Sequence, residues 1–82
     1  MRDVINMNDI IVVMESITET HRLSRKMLIS FIRGNIDVLI GPDFVEIRQL
    51  ISDGKVSQFN DKKLIEVSKL LVVRGCYYLD FL

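Results

Sequence analysis

A chain of 82 residues with eleven acidic and eleven basic side chains has no net charge, and so no overall field that would draw it to DNA, RNA or an anionic membrane. Hydrophobic residues make up 49% of it and Gly plus Pro only five positions, which argues against disorder and suits one all-α domain over residues 1–82. A body this small buries only about 60 to 65% of its unfolded surface, so part of that apolar content is expected to face another molecule.

The first helix is predicted after Asn8 and Asp9, both good N-caps, with Ile10, Val13, Met14 and Ile17 on the i, i+3, i+4, i+7 stripe and Glu15 and Glu19 on the other side. Ser24 can cap a second helix whose inner face is Met27, Leu28, Phe31 and Ile32, with Gly34 and Asn35 as its stop. The run Ile36, Val38, Leu39 and Ile40 is too short for periodicity to decide between helix and extended chain. Pro42 and Asp43 suit the start of a third helix with Phe44, Ile47, Leu50 and Ile51 inward, closed by Asp53 and Gly54.

After a loop from Lys55 to Asn60, with Ser57 or Asn60 as cap, the last long helix turns Leu64, Val67, Leu70, Leu71 and Val73 inward and keeps Asp61, Lys62, Lys63, Glu66 and Lys69 wet. Gly75 ends or weakens it. The tail CYYLDFL is unusually apolar for a chain end, so it must fold back on the core or fill a partner's groove. The whole reads as a small single-domain bundle of four to five short helices.

Charge is distributed unevenly. Residues 1 to 20 carry one basic and four acidic groups, residues 21 to 36 four basic and none acidic, and the remainder six against seven. The one cysteine, Cys76, cannot form an internal disulfide, which suits a reducing compartment. The N-terminus lacks the charged-then-apolar pattern of a signal peptide, and no stretch approaches the ~20 apolar residues of a spanning helix, so the expected setting is the cytoplasm without a membrane span.

Catalysis finds little support in the residue types. His21 has no nearby cysteine and no obvious carboxylate partner in sequence, and one His with one Cys does not make a common structural zinc site without additional ligands. Cys76 sits among apolar and aromatic neighbours, as a buried inert thiol does. Gly34 and Gly41 are isolated and match no phosphate-binding spacing. No enzyme activity, cofactor or metal is expected.

The stretch LSRKMLISFIRGN is similar to the recognition-helix region of phage repressor-type helix-turn-helix domains, a resemblance that implies phosphate or base contacts by Arg25, Lys26 and Arg33. It departs from that pattern at Thr18 and Arg22, where a small residue and a turn Gly belong. The rival reading makes Arg22, Arg25, Lys26 and Arg33 a docking face for a protein, since Arg is enriched at interaction hot spots and its stem covers apolar surface. The bland alternative pairs these charges with Glu15, Glu19 or Asp37 of the same molecule.

Taken whole, HRLSRKMLISFIRGNIDVLIGPDFVEIRQLI with the closing RGCYYLDFL resembles the cytoplasmic antiholins encoded at the third rapid-lysis locus of T-even bacteriophages. The resemblance implies a cytoplasmic, non-enzymatic protein that binds the holin's cytoplasmic segment and delays host lysis. It supplies no catalytic residues. The candidate partner-binding residues are chosen on physical grounds as Arg22, Arg25, Lys26 and Arg33 on the basic helix and Tyr77, Tyr78 and Phe81 in the tail. The alternatives are a helix-turn-helix-like DNA-binding regulator, a phage protein that binds host transcription machinery, and a homo-oligomer.

Overall fold

The computed structural model describes residues 3–17 and 22–81. Helix α1 (Met7–Ser16) begins earlier than the sequence pattern suggests, because Asn6 rather than Asn8 or Asp9 is its cap: the Asn6 side chain accepts from the Asn8 N–H at 2.8 Å. Ile10 and Ile17 are buried and form its inner edge. Residues 18–21, which include Thr18, Glu19 and His21, lie outside the described chain.

Helix α2 (Arg22–Gly34) is the centre of the fold and packs against α1, the last helix and the tail. Leu28, Phe31 and Ile32 are fully buried, as their spacing predicts, and Met27 is half-buried. Ser24 is not the cap. It lies inside the helix and is buried. The undecided run after α2 is not a strand but a short 3₁₀ helix at Ile36–Val38, after which Leu39 is buried in the core.

Pro42 opens a second 3₁₀ turn, Pro42–Phe44, that leads into α3 (Val45–Ser52). Gly54, in the left-handed region at φ 77°, reverses the chain after α3, where a side chain would be strained. The expected loop holds a further 3₁₀ turn at Lys55–Gln58, and Asn60 caps α4 (Asp61–Val73) by accepting from the Lys63 N–H at 2.8 Å. Leu64, Val67 and Leu71 face the core; Val73 does not, being 84% exposed, because it lies on the outer side of the last turn. Asp61 is not simply wet either, since it is half-buried and paired with Arg25.

The described chain is all-α apart from one feature that helical periodicity cannot reveal. The tail turns at Gly75 and forms a two-residue strand β2 (Tyr78–Leu79), antiparallel to β1 (Asp3–Val4), with Asp3 opposite Leu79 and Val4 opposite Tyr78. Hydrogen bonding alternates along this strand. The Ile5 N–H donates to the Tyr77 carbonyl at 2.8 Å on one edge; on the other, Tyr78 and Asp80 are held by α2.

That second edge explains Gly34 and Asn35. Gly34 ends α2, but its φ is not among the positive ones; a Cβ there would stand 2.8 Å from the Tyr78 carbonyl oxygen. Its bareness lets the strand lie on the helix. Asn35, only 4% exposed, acts as a neighbouring strand would: its Nδ2 donates to the Tyr78 carbonyl at 2.8 Å and its Oδ1 accepts from the Tyr78 N–H at 3.3 Å. The same Nδ2 donates to the Phe31 carbonyl at 2.7 Å, and the Asp80 N–H donates to the Ser30 carbonyl at 2.9 Å. Leu79 then closes one contiguous core over Phe31 and its neighbours.

The core holds one defect among the described residues, the fully buried Ser68 hydroxyl, which has no hydrogen-bond partner. Ser68→Ala is therefore expected to raise stability by about 1 kcal/mol in urea unfolding, since it removes a desolvated donor and improves helix propensity. Gly34→Ala is expected to do the reverse, lowering stability by about 1 to 3 kcal/mol although Ala is the better helix former, because the added methyl must push the Tyr78 backbone off the helix. An unchanged urea midpoint for Gly34→Ala would show that the strand is not held against α2.

Candidate docking surface

Arg22, Lys26, Ile29 and Arg33 are spaced four, three and four residues apart on α2 and therefore form one ridge along its outer side. Arg22 and Lys26 are exposed, and among the described residues neither has an ion pair. Ile29 and Arg33 are half-buried where the ridge meets a groove. The Arg33 Nη2 lies 3.9 Å from the Asp80 Oδ2, too far for a hydrogen bond, so only a loose Coulombic attraction joins them.

Arg25 belongs elsewhere. One step round the helix, its Nη1 pairs with Asp61, while its Nη2 donates to the Phe59 carbonyl at 2.8 Å and reaches the Ser57 carbonyl at 3.4 Å. Asp61 stands in the first turn of α4, where the helix dipole also favours a carboxylate. The bland expectation of internal pairing thus describes Arg25, with Asp61 as its partner, while Glu19 lies outside the described residues. Its consequence is architectural, because Arg25 ties the segment before α4 to α2.

That segment forms the far wall of the groove, which has a volume of about 430 Å³. Ile29, Arg33 and Ile36 line it together with Ile51, Gly54, Val56 and Ser57, and Asp80 of the tail lines it too. Exposed Lys55 lies between two of the lining residues. Ile29, Ile36, Ile51, Val56 and Asp80 are absent from the residues picked by sequence. Only Ile29 carried a signal, as an apolar residue at the position where the basic ridge should be polar.

The tail answers the choice posed by its composition by folding back, and it keeps only part of its apolar surface outside. Leu79 is buried and Tyr78 half-buried, while Tyr77 and Phe81 are 44% and 50% exposed. The two tyrosine rings stack at 4.6 Å between centroids with an interplanar angle of 36°. Tyr77 titrates above its ordinary value, first through a hydrogen bond with Tyr78, then through the charge of Tyr78 and through desolvation. Among the described residues, Arg33 and Asp80 make the ion pair between the basic ridge and the tail.

Burial pushes the Cys76 thiol up, with the Arg74 guanidinium offsetting part of the effect, so the thiolate is disfavoured at neutral pH. Among the described residues no group of three or more His, Cys, Asp and Glu is placed to hold a metal ion. No helix among them is long and apolar enough to cross a membrane.

The division between Arg25 and Lys26 can be measured. Arg25→Met keeps the stem but loses the Asp61 pair and the carbonyl contacts, and is expected to cost about 1 to 2 kcal/mol of stability, partial exposure having been discounted. Lys26→Met should stay within about 0.5 kcal/mol of the parent. Equal urea midpoints for the two variants would show that Arg25 does not hold the groove wall. Comparison of the chain with protein-family models, with curated proteins and with solved structures finds no match.

Proposed function

We propose that this protein is a non-enzymatic regulator that acts by occupancy, docking a segment of another protein on the outer ridge of α2 and the groove beside it. The observation that carries this reading is the ridge itself: Arg22 and Lys26 project from a rigid helix without an intramolecular ion pair among the described residues, next to Ile29, Arg33 and an apolar-floored groove. A fixed set of cations beside apolar surface favours an acidic or amphipathic protein segment and adds on-rate and register. Tyr77 and Phe81 extend the candidate interface as exposed aromatics.

The resemblance to the cytoplasmic antiholins supplies the partner to test first, the cytoplasmic segment of a phage holin, and implies action in the cytoplasm. Docking of this kind can shift a partner between assembled and unassembled states only by its differential affinity for the two, about 1.4 kcal/mol for each tenfold change. A few central Arg or aromatic contacts, worth roughly 2 kcal/mol each, are sufficient for that.

The helix-turn-helix alternative needs Arg25, Lys26 and Arg33 to reach DNA together. Arg25 would first have to leave Asp61 and the Phe59 carbonyl. The two readings separate in one set of measurements. Immobilised protein should retain the holin segment, the Arg22→Glu/Lys26→Glu variant should lose at least tenfold in affinity with an unchanged circular dichroism spectrum, and neither should shift duplex DNA at physiological salt. Undiminished capture by the double variant would remove the ridge from the interface; a steeply salt-dependent DNA shift would favour the DNA reader instead.

A further inference from the structure

The groove beside α2 already contains one carboxylate of its own chain. Asp80 is brought there by backbone geometry: its N–H is tied to the Ser30 carbonyl at 2.9 Å, and the residue before it is buried in the core. Its carboxylate stands 3.9 Å from Arg33, near enough to be attracted and too far to hydrogen-bond, and the side chain remains 41% exposed. Arg33 is the cation among the lining residues; Lys26 stands on the same ridge of α2, exposed Lys55 lies between lining Gly54 and Val56 in the chain, and Asp53, beside Gly54, accepts from the Gln49 amide at 2.9 Å. Ile29, Ile36, Ile51 and Val56 make the apolar part of the lining.

The geometry points to Asp80 as an internal stand-in for a partner's carboxylate, and to a short acidic segment carrying apolar side chains as the occupant of the groove. This inference rests on the docking reading of the α2 face and adds the identity of the ligand and a built-in competitor. An incoming Asp or Glu takes the Arg33 guanidinium in a direct charge-assisted bond at ordinary hydrogen-bond length, which Asp80 does not make. Its apolar neighbours enter between Ile29 and Ile51. Asp80 needs only to swing its carboxylate into water, because its backbone anchor does not involve that group. Until then its negative charge opposes any acidic ligand, so the free protein is selective for segments that fill the apolar lining as well as supply a charge.

The test is a nuclear magnetic resonance titration of the full chain with an acetylated, amidated hexapeptide of alternating Glu and Leu, beside its Lys–Leu counterpart and a short DNA duplex. The acidic peptide should saturate shifts at the amides of Ile29, Arg33, Gly54 and Val56, more weakly at high salt, and the Lys–Leu peptide should not. Asp80→Asn, and Asp80→Ala as a second replacement that keeps the backbone anchor, should bind the acidic peptide about two- to fivefold more tightly, the range of an exposed charge interaction. Arg33→Gln should bind it at least fivefold more weakly. Equal or weaker binding by both Asp80 variants, with Arg33→Gln still impaired, overturns the competitor role and leaves the docking reading standing. Absence of saturable shifts with the acidic peptide in every variant, or saturation of the same amides by DNA, overturns the groove as an acidic-peptide site and the docking reading with it.

Discussion

The seating of the closing strand on the C-terminal end of α2 is the constraint on which the rest of this structure depends. A helix and a strand can share backbone hydrogen bonds only if nothing stands between them and if the helix offers groups that a strand can use. Gly34 removes the obstacle, and the Asn35 side chain supplies a donor and an acceptor to the same residue, Tyr78. Each bond is worth about 1 kcal/mol net, but leaving the buried partners unmade would cost more, so the site is specific as well as stabilising. In a chain this short, a two-residue strand that brings Leu79 into the core is a substantial share of the stability margin.

That seating also determines what the surface presents. By lying along one side of α2 the strand covers Ser30 and Gly34, and the residue that follows it, Asp80, sets a carboxylate in the lining of the groove. The opposite flank is set by Arg25, which draws the segment before α4 against the helix. What remains outside is the narrow ridge of Arg22, Lys26, Ile29 and Arg33, held rigid by a core on one side and by two anchored segments at its edges. Rigid presentation lowers the entropy lost on binding, which is why a small scaffold can support a useful interface.

The four cations of α2 thus have three different roles, although the sequence offers them as one cluster. Arg25 is an internal strut, Arg33 shares a loose pair with Asp80, and Arg22 and Lys26 project into solvent. The difference follows from angle around the helix. Three of the four lie within one outward arc, whereas Arg25 lies toward α4, where Asp61 and two carbonyls wait for it. Tyr77, Tyr78 and Phe81 divide in the same way, with Tyr78 held by its backbone and the other two rings left outside.

Local patterns were enough to determine the helical class, the buried faces of α1, α2 and α4 and the turn at Gly54, because each depends on residues within a few positions of one another; they offered Asn60 beside Ser57 as the α4 cap and left open whether Gly75 ends that helix. The concentration of basic charge on α2 was also legible. The caps at Asn8, Asp9 and Ser24 and the inward Val73 were misplaced, since helix ends move by a residue or two at little cost and an apolar residue in the last turn has nothing it must touch. Only the tertiary structure decided which cations face solvent, that a strand pairs residue 4 with residue 78, and that Ile29, Ile36, Ile51, Val56 and Asp80 share one groove. Those relations join positions up to 76 residues apart, as Asp3 and Leu79 register, and no local periodicity encodes a contact that exists only once the chain has closed on itself.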